Sequence, residues 1–204
     1  GMLLGFHLPL AAKPVPGMPY DEQGTTLNAW LSIGPDESVT VRVAQCEMGQ
    51  GVLTSLPMIV ADELEADWRK VRAEYADVNL HFRQGRVCER MLTAESGSVS
   101  VMREILQLAG AEARERLIKA AAERWLLSPT DCYADYGRVH NQRGDSFSYG
   151  ELADDAAQVR VAGVRIKHPD DFSLLGLPTP RLDDPAKVDG SAQYAMDVRL
   201  PDMV

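Results

Sequence analysis

The chain has 204 residues, 45% hydrophobic and 25% charged, with a formal net charge of −9. That suits one globular domain, or one domain plus part of a second. The acidic balance argues against nucleic acid and anionic membrane surfaces as partners, and no apolar run is long enough for a transmembrane segment.

Residues 1–26 read as an extended arm. Residues 2–10 are apolar but short, and residues 11–24 are rich in Pro and Gly. Two readings stand for the start: the tail of an export signal whose basic front is missing, or an arm that is disordered or docked on the domain. Residues 27–33 alternate in polarity, and Gly34-Pro35-Asp36-Glu37 marks a turn. Residues 38–44 alternate again and are β-branched, so a hairpin is predicted. Residues 52–64 return apolar side chains at helical spacing, and Pro57 is tolerated near the helix start. A third strand is predicted over 71–76, giving a β-β-α-β series and a layered α/β arrangement.

Residues 77–96 show no periodicity and form a loop of about twenty residues, a length usually tied to function or mobility. A long Ala-rich helix follows, running to Trp125 and stopped by Ser128-Pro129. A hairpin is predicted around Tyr136-Gly137. Ser148-Tyr149-Gly150-Glu151 has the form of a capping box opening a helix through Gln158. From Val164 the chain turns Pro-rich and reads as a surface linker, with a new strand predicted over 192–198.

Chemistry concentrates at Glu47-Met48-Gly49-Gln50-Gly51, between a predicted strand and a predicted helix. Two glycines there permit a tight turn, and helix N-terminal N–H groups suit an anion such as phosphate. The Gln50 amide both donates and accepts. The alternative is that Gly49 and Gly51 only make the turn. Cys46, Cys88 and Cys132 are far apart, and His7, His81, His140 and His168 are isolated. Without CxxC or HxxxH spacing, a structural zinc or iron–sulfur site is not expected, and no metal ligand is assigned. Arg83, Arg86 and Arg90 either meet a phosphate or lie on a solvated loop. Glu63, Glu65, Asp154 and Asp155 read as solvated faces.

Glu47 to Gly51 comes with Thr54 and Ala61-Asp62-Glu63-Leu64, then Thr93-Ala94-Glu95-Ser96-Gly97-Ser98-Val99. The Ala-rich helix, the capping box, and the run from Pro180-Arg181-Leu182-Asp183 to Val198-Arg199-Leu200-Pro201 complete the order. This order of pieces resembles the molybdopterin-binding large subunits of the xanthine oxidase and aldehyde oxidoreductase superfamily, in its isoquinoline 1-oxidoreductase β-subunit branch. The resemblance implies an α+β fold: a strand hairpin plus helices in a two-layer molybdopterin-binding-type domain, with an extended C-terminal linker. It implies an arm over 1–26, that domain over 27–163, and over 164–204 a linker with the truncated start of a hammerhead domain.

The implied function is the N-terminal portion of a molybdenum-containing hydroxylase or aldehyde oxidoreductase large subunit, not catalytically complete alone. Gly49, Gln50, Gly51, Ser96 and Ser98 would contact molybdopterin, in its dinucleotide form. No catalytic residue is implied in this chain, because the family's glutamate lies far downstream and Glu151 belongs to the capping box. Implied partners are the remaining large-subunit polypeptide, an iron–sulfur small subunit and a cytochrome c. The implied compartment is the periplasm. Two family glycines are replaced by Ala94 and Glu95, and a carboxylate there repels a phosphate. The alternative for that stretch is that Ser96 or Ser98 caps the long helix. The alternative for the whole chain is a degenerate, non-catalytic domain packed against the rest of the subunit or a partner.

Overall fold

A computed structural model of the protein describes residues 25–28, 30–78, 91–201 and 203. The arm's first 24 residues, Cys88, His81 and the three loop arginines lie outside them.

The first sheet has the order β1-β2-β3-β4, formed by Thr25–Asn28, Leu31–Ile33, Val39–Val43 and Val71–Tyr75. The predicted strand over 27–33 is in fact two antiparallel strands, because the chain reverses between Asn28 and Leu31. Trp30 sits in that reversal, buried, so the turn is fixed by packing and carries no Gly or Pro signal. β2 and β3 form the predicted hairpin, with Ile33 opposite Val39. β3 and β4 are parallel, Val43 lying beside Tyr75. Helix α1 (Val52–Leu64) makes the crossover between them, as a parallel pair requires. Leu31, Ile33, Val39, Val41, Val43 and Val71 point into one core. On the opposite face, Arg42 pairs with Glu74 at 3.1 Å.

Helix α2 (Ser98–Trp125) is the long helix, and it packs along α1. The approach is close at Gly110. A Cβ added there would lie 2.6 Å from the Val60 carbonyl oxygen and 2.9 Å from the Glu63 Cβ. Ala109 and Ala113 are small enough to keep the two helices together beside that contact.

The second sheet has the order β5-β6-β7: Cys132–Asp135, Arg138–Asn141 and Ser146–Ser148. Its hairpin was legible, but the three-residue β7 was not. Helix α3 (Tyr149–Gln158) begins in the predicted capping box: Glu151 N–H donates to Ser148 Oγ, and Ser148 N–H donates to the Glu151 carboxylate at 2.7 Å. These bonds hold the Glu151 carboxyl below its ordinary range. Tyr149 is buried and donates to the Leu64 carbonyl at 2.6 Å. Burial pushes its phenol well above the ordinary tyrosine range.

The segment after Val159 is mostly irregular, yet it is bonded to the domain along its length. Lys167 Nζ meets Asp62 at 2.9 Å and Glu65 at 2.6 Å. Its backbone N–H donates to the Glu63 carboxylate. The amides of Leu174 and Leu175 both reach Asp62 Oδ2 at 2.8 Å. Glu63 is therefore no solvated face. It and Asp62 are buried, the charge of Asp62 matched by Lys167 and that of Glu63 by Arg114, 3.5 Å away. Asp154 and Asp155 are exposed as expected.

Helix α4 (Asp184–Asp189) was read as linker. Pro185 at its first turn and Gly190 at φ +81 are the start and stop signals of a short helix. Residues 192–198 form no strand. A 3-10 turn occupies Ala195–Asp197, with Tyr194 N–H bonded to Asp197 at 2.9 Å. That local side-chain bond gives the backbone an alternative to a strand ladder.

Candidate functional site

The Cys46–Gly51 turn lies where the parallel strands β3 and β4 end and helix α1 begins. In open α/β layers such carboxyl ends, faced by helix N-termini, are where ligands collect. The second candidate stretch comes to the same place. Cys46 N–H donates to Thr93 Oγ1 at 2.8 Å, and Glu47 N–H donates to the Tyr75 hydroxyl at 3.2 Å. Gln45, Leu92, Ala94, Gly97, Ser98 and Val101 line one shallow pocket between them.

Gly49 and Gly51 have φ of +104 and +90, and a Cβ at either would meet nothing within 4 Å. They are needed for backbone conformation, not for space. Their N–H groups do not point outward. The Glu47 carboxylate turns back into the turn and accepts from Gly49 at 2.7 Å, Gly51 at 2.9 Å and Leu53 at 3.1 Å. It is an internal anion on the helix N-terminus, where the helix field favours negative charge. Burial raises its pKa. The three amides and Arg181 outweigh that and hold the carboxyl below its ordinary range.

The Gln50 amide also closes the turn. Its Oε1 accepts from Met48 N–H at 2.6 Å, and its Nε2 donates to the Cys46 carbonyl at 2.9 Å. Gln50 itself is exposed, as is Met48 beside it. Arg181 arrives from the C-terminal segment. Its Nη2 meets Glu47 Oε1 at 3.1 Å, and its Nη1 donates to the Gly49 carbonyl at 3.0 Å. Nε and Nη2 fork onto Asp183 at 3.0 and 2.9 Å. One residue on, Leu182 N–H donates to Thr54 Oγ1 at 2.9 Å.

Ser98 and Ser96 part company. Ser98 is half-buried at the pocket, whereas Ser96 is exposed on the turn before α2, with φ +52. Neither caps α2. Its N-cap is Gly97, which has no side chain to accept from the helix N–H groups. Glu95 adopts φ +56, a conformation costly to any side chain but open to glycine. Glu95→Gly is therefore expected to raise stability by about 0.5–1 kcal/mol, the relief of left-handed strain exceeding the entropy glycine adds to the unfolded chain. Urea denaturation of the two proteins measures the difference.

Glu47 and Arg181 both lie within motifs of the sequence, which assign neither a task. The available signal was an acid four residues before a helix-opening glycine. Its distant partner left none. Among the described residues, no group of three or more His, Cys, Asp or Glu is placed to hold a metal, and no helix is long and apolar enough to cross a membrane. For molybdopterin the fit divides. Glu47 already fills the amides a phosphate would need, so this turn suits the uncharged, hydrogen-bonding part of such a group. The second amide proton of Gln50 and the Ser98 hydroxyl offer that kind of contact.

A two-layer α+β unit with a glycine turn at the carboxyl ends of a parallel strand pair is a small-molecule-binding class of domain. The chain belongs to the molybdopterin cofactor-binding domain family, whose model matches residues 6–195, as the order of motifs implied. It is 31% identical over 213 aligned residues to the isoquinoline 1-oxidoreductase subunit beta of Brevundimonas diminuta, covering 87% of this chain and 27% of that protein. It is 30% identical to the membrane-bound aldehyde dehydrogenase [pyrroloquinoline-quinone] of Gluconacetobacter polyoxogenes, over 100% of this chain and 27% of that one. The chain thus spans about a quarter of the length of these curated relatives. Quinoline 2-oxidoreductase from Pseudomonas putida 86 is a looser structural likeness: TM-score 0.45 and 22% identity, covering 71% of this chain and 17% of that one.

Proposed function

We propose that this chain forms one wall of the molybdopterin site of a molybdenum-containing hydroxylase or aldehyde oxidoreductase, and does not supply its catalytic base. The observation that carries the reading is the convergence of the Cys46–Gly51 turn and the Thr93–Ser98 stretch at one end of the fold. Gln50 and Ser98 are its hydrogen-bonding side chains there. The bound group supplies the metal centre for a two-electron oxidation. This chain's residues bind and orient it, with an uncharged amide where a charged side chain would be costly to desolvate.

The proposal takes the cofactor in its dinucleotide form, with its phosphates held away from this turn. It places the chain beside the remaining large-subunit polypeptide, an iron–sulfur subunit and a cytochrome c. The word "subunit" in the name of the Brevundimonas relative supports an assembly. Export to the periplasm belongs to the same proposal. It rests on the apolar start at Leu3-Leu4-Gly5-Phe6.

Gln50→Ala and Ser98→Ala tests the reading in the assembled oxidoreductase, with molybdenum, pterin and pyrroloquinoline quinone each measured in the purified protein. Losing a hydrogen bond of about 1.4 kcal/mol predicts about tenfold weaker retention of molybdenum and pterin, and in Ser98→Ala, which breaks no bond within the turn, at unchanged melting temperature. Unchanged content in both variants refutes it. Quinone in place of pterin assigns the chain the other cofactor named among its relatives.

A second reading has a specific observation behind it. Glu95 places a carboxylate in the stretch that aligns with family glycines, and Glu47 already occupies the helix amides. A degenerate domain that packs without binding accounts for both. It predicts protein free of molybdenum and pterin even when assembled.

A further inference from the structure

Arg181 is the feature that the reading above leaves without a task. Its guanidinium spends its donors on the Glu47 carboxylate, the Gly49 carbonyl and both Asp183 oxygens. Glu47 in turn holds the amides of Gly49, Gly51 and Leu53. The Glu47 side chain is only 7% exposed, so this anchor sits beneath the turn and not on its outer face. The Gln50 amide spans the same turn from Met48 to Cys46.

We propose that Arg181 and Glu47 act as one positioning couple, through which the segment after Val159 fixes the Cys46–Gly51 turn in its ligand-facing conformation. The proposal rests on the reading that this turn faces a cofactor, but the couple itself operates within the chain. The geometry needs an arginine. A planar fork can serve Asp183 with two nitrogens while its remaining donors reach Glu47 and Gly49, which a single ammonium cannot do. The segment carrying Arg181 is itself fixed at both ends. Lys167, Leu174 and Leu175 are bonded to Asp62, and Leu182 is bonded to Thr54. Arg181 thus reaches the turn from an anchored backbone, and Gln50 inherits its orientation through the Gly49 and Glu47 contacts. Arg181 and Glu47 are positioning residues: their effect reaches a ligand only through the turn.

The test is amide hydrogen exchange, read by NMR on the 204-residue chain near neutral pH, where Glu47 is charged. In Arg181→Lys the amides of Gly49, Gly51 and Leu53 should exchange about tenfold faster, while Val41 and Leu106 in the core stay unchanged. Glu47→Gln should do the same. The double variant should be no faster than the faster single, since the two residues act as one unit. Lys187→Gln, which removes the other cation on Asp183, should leave the three turn amides as they are.

Unchanged exchange in Arg181→Lys overturns the proposal. So do multiplied effects in the double variant, and so does faster exchange throughout the core, which would make Arg181 a general structural residue. Molybdenum content in the assembled oxidoreductase decides the other matter. If the turn amides respond and metal content does not, the couple stands and the cofactor reading falls.

Discussion

Replacing Lys167 with methionine should cost the domain about 3 kcal/mol of stability, measured by urea denaturation. The substitution keeps most of the side chain's volume and removes its charge. Lys167 is 8% exposed, and its ammonium is the cation on Asp62, whose side chain is fully buried. Breaking a buried pair from one side strands the other charge, which typically costs about 3–5 kcal/mol. The lower end applies here because Asp62 keeps the amides of Leu174 and Leu175. Lys187→Met is the reference. Lys187 is about a third exposed, and losing its pair with Asp183 should change stability by no more than about 1 kcal/mol. Equal losses in the two variants would show that the Asp62 site is not desolvated.

Gly110→Ala should destabilise by about 2 kcal/mol, although alanine is the better helix former. Helix propensity alone predicts a gain of about 1 kcal/mol. The new methyl, however, would sit 2.6 Å from the Val60 carbonyl oxygen, a backbone atom of a packed helix that cannot swing aside. Overpacking of this kind costs about 1–3 kcal/mol, and the backbone obstacle places it at the upper end. Net loss should lower the melting temperature by about 4–8 °C in a domain this size. A rise in melting temperature would mean that α1 and α2 lie farther apart than described.

Local signals carried much of the architecture. Helix α1 was legible because its apolar spacing is regular and flanked by glycine before and a strand after. The capping box was legible because both of its partners lie within four residues. What escaped had no local cause. The reversal at Trp30 is set by burial, and β7 is three residues long and exists only because β6 is beside it. Glu63 looked like a solvent-facing acid, since its cationic partner Arg114 lies 51 positions away along the chain.

The candidate site divides in the same way. The glycines at 49 and 51, and their place at a helix start, could be read from spacing. The direction of their N–H groups could not, because it depends on the Glu47 rotamer and on Arg181, which joins from 132 positions beyond Gly49. Ser96 and Ser98 were adjacent candidates in sequence, yet a turn with two successive left-handed residues sends them to different surroundings.

The C-terminal end of α1 has a consequence for synthesis. Its last carbonyls are satisfied from far along the chain: Glu63 by Arg114, Leu64 by the Tyr149 hydroxyl, Glu65 by the Gly137 N–H. A thirteen-residue helix is marginal in water by itself. A nascent chain that has emerged through β4 therefore holds every strand of the first sheet while the crossover helix still frays at its end. The end of α1 is completed only after residue 149 has left the ribosome, and the Asp62 carboxylate stays open to water until Lys167, Leu174 and Leu175 have followed.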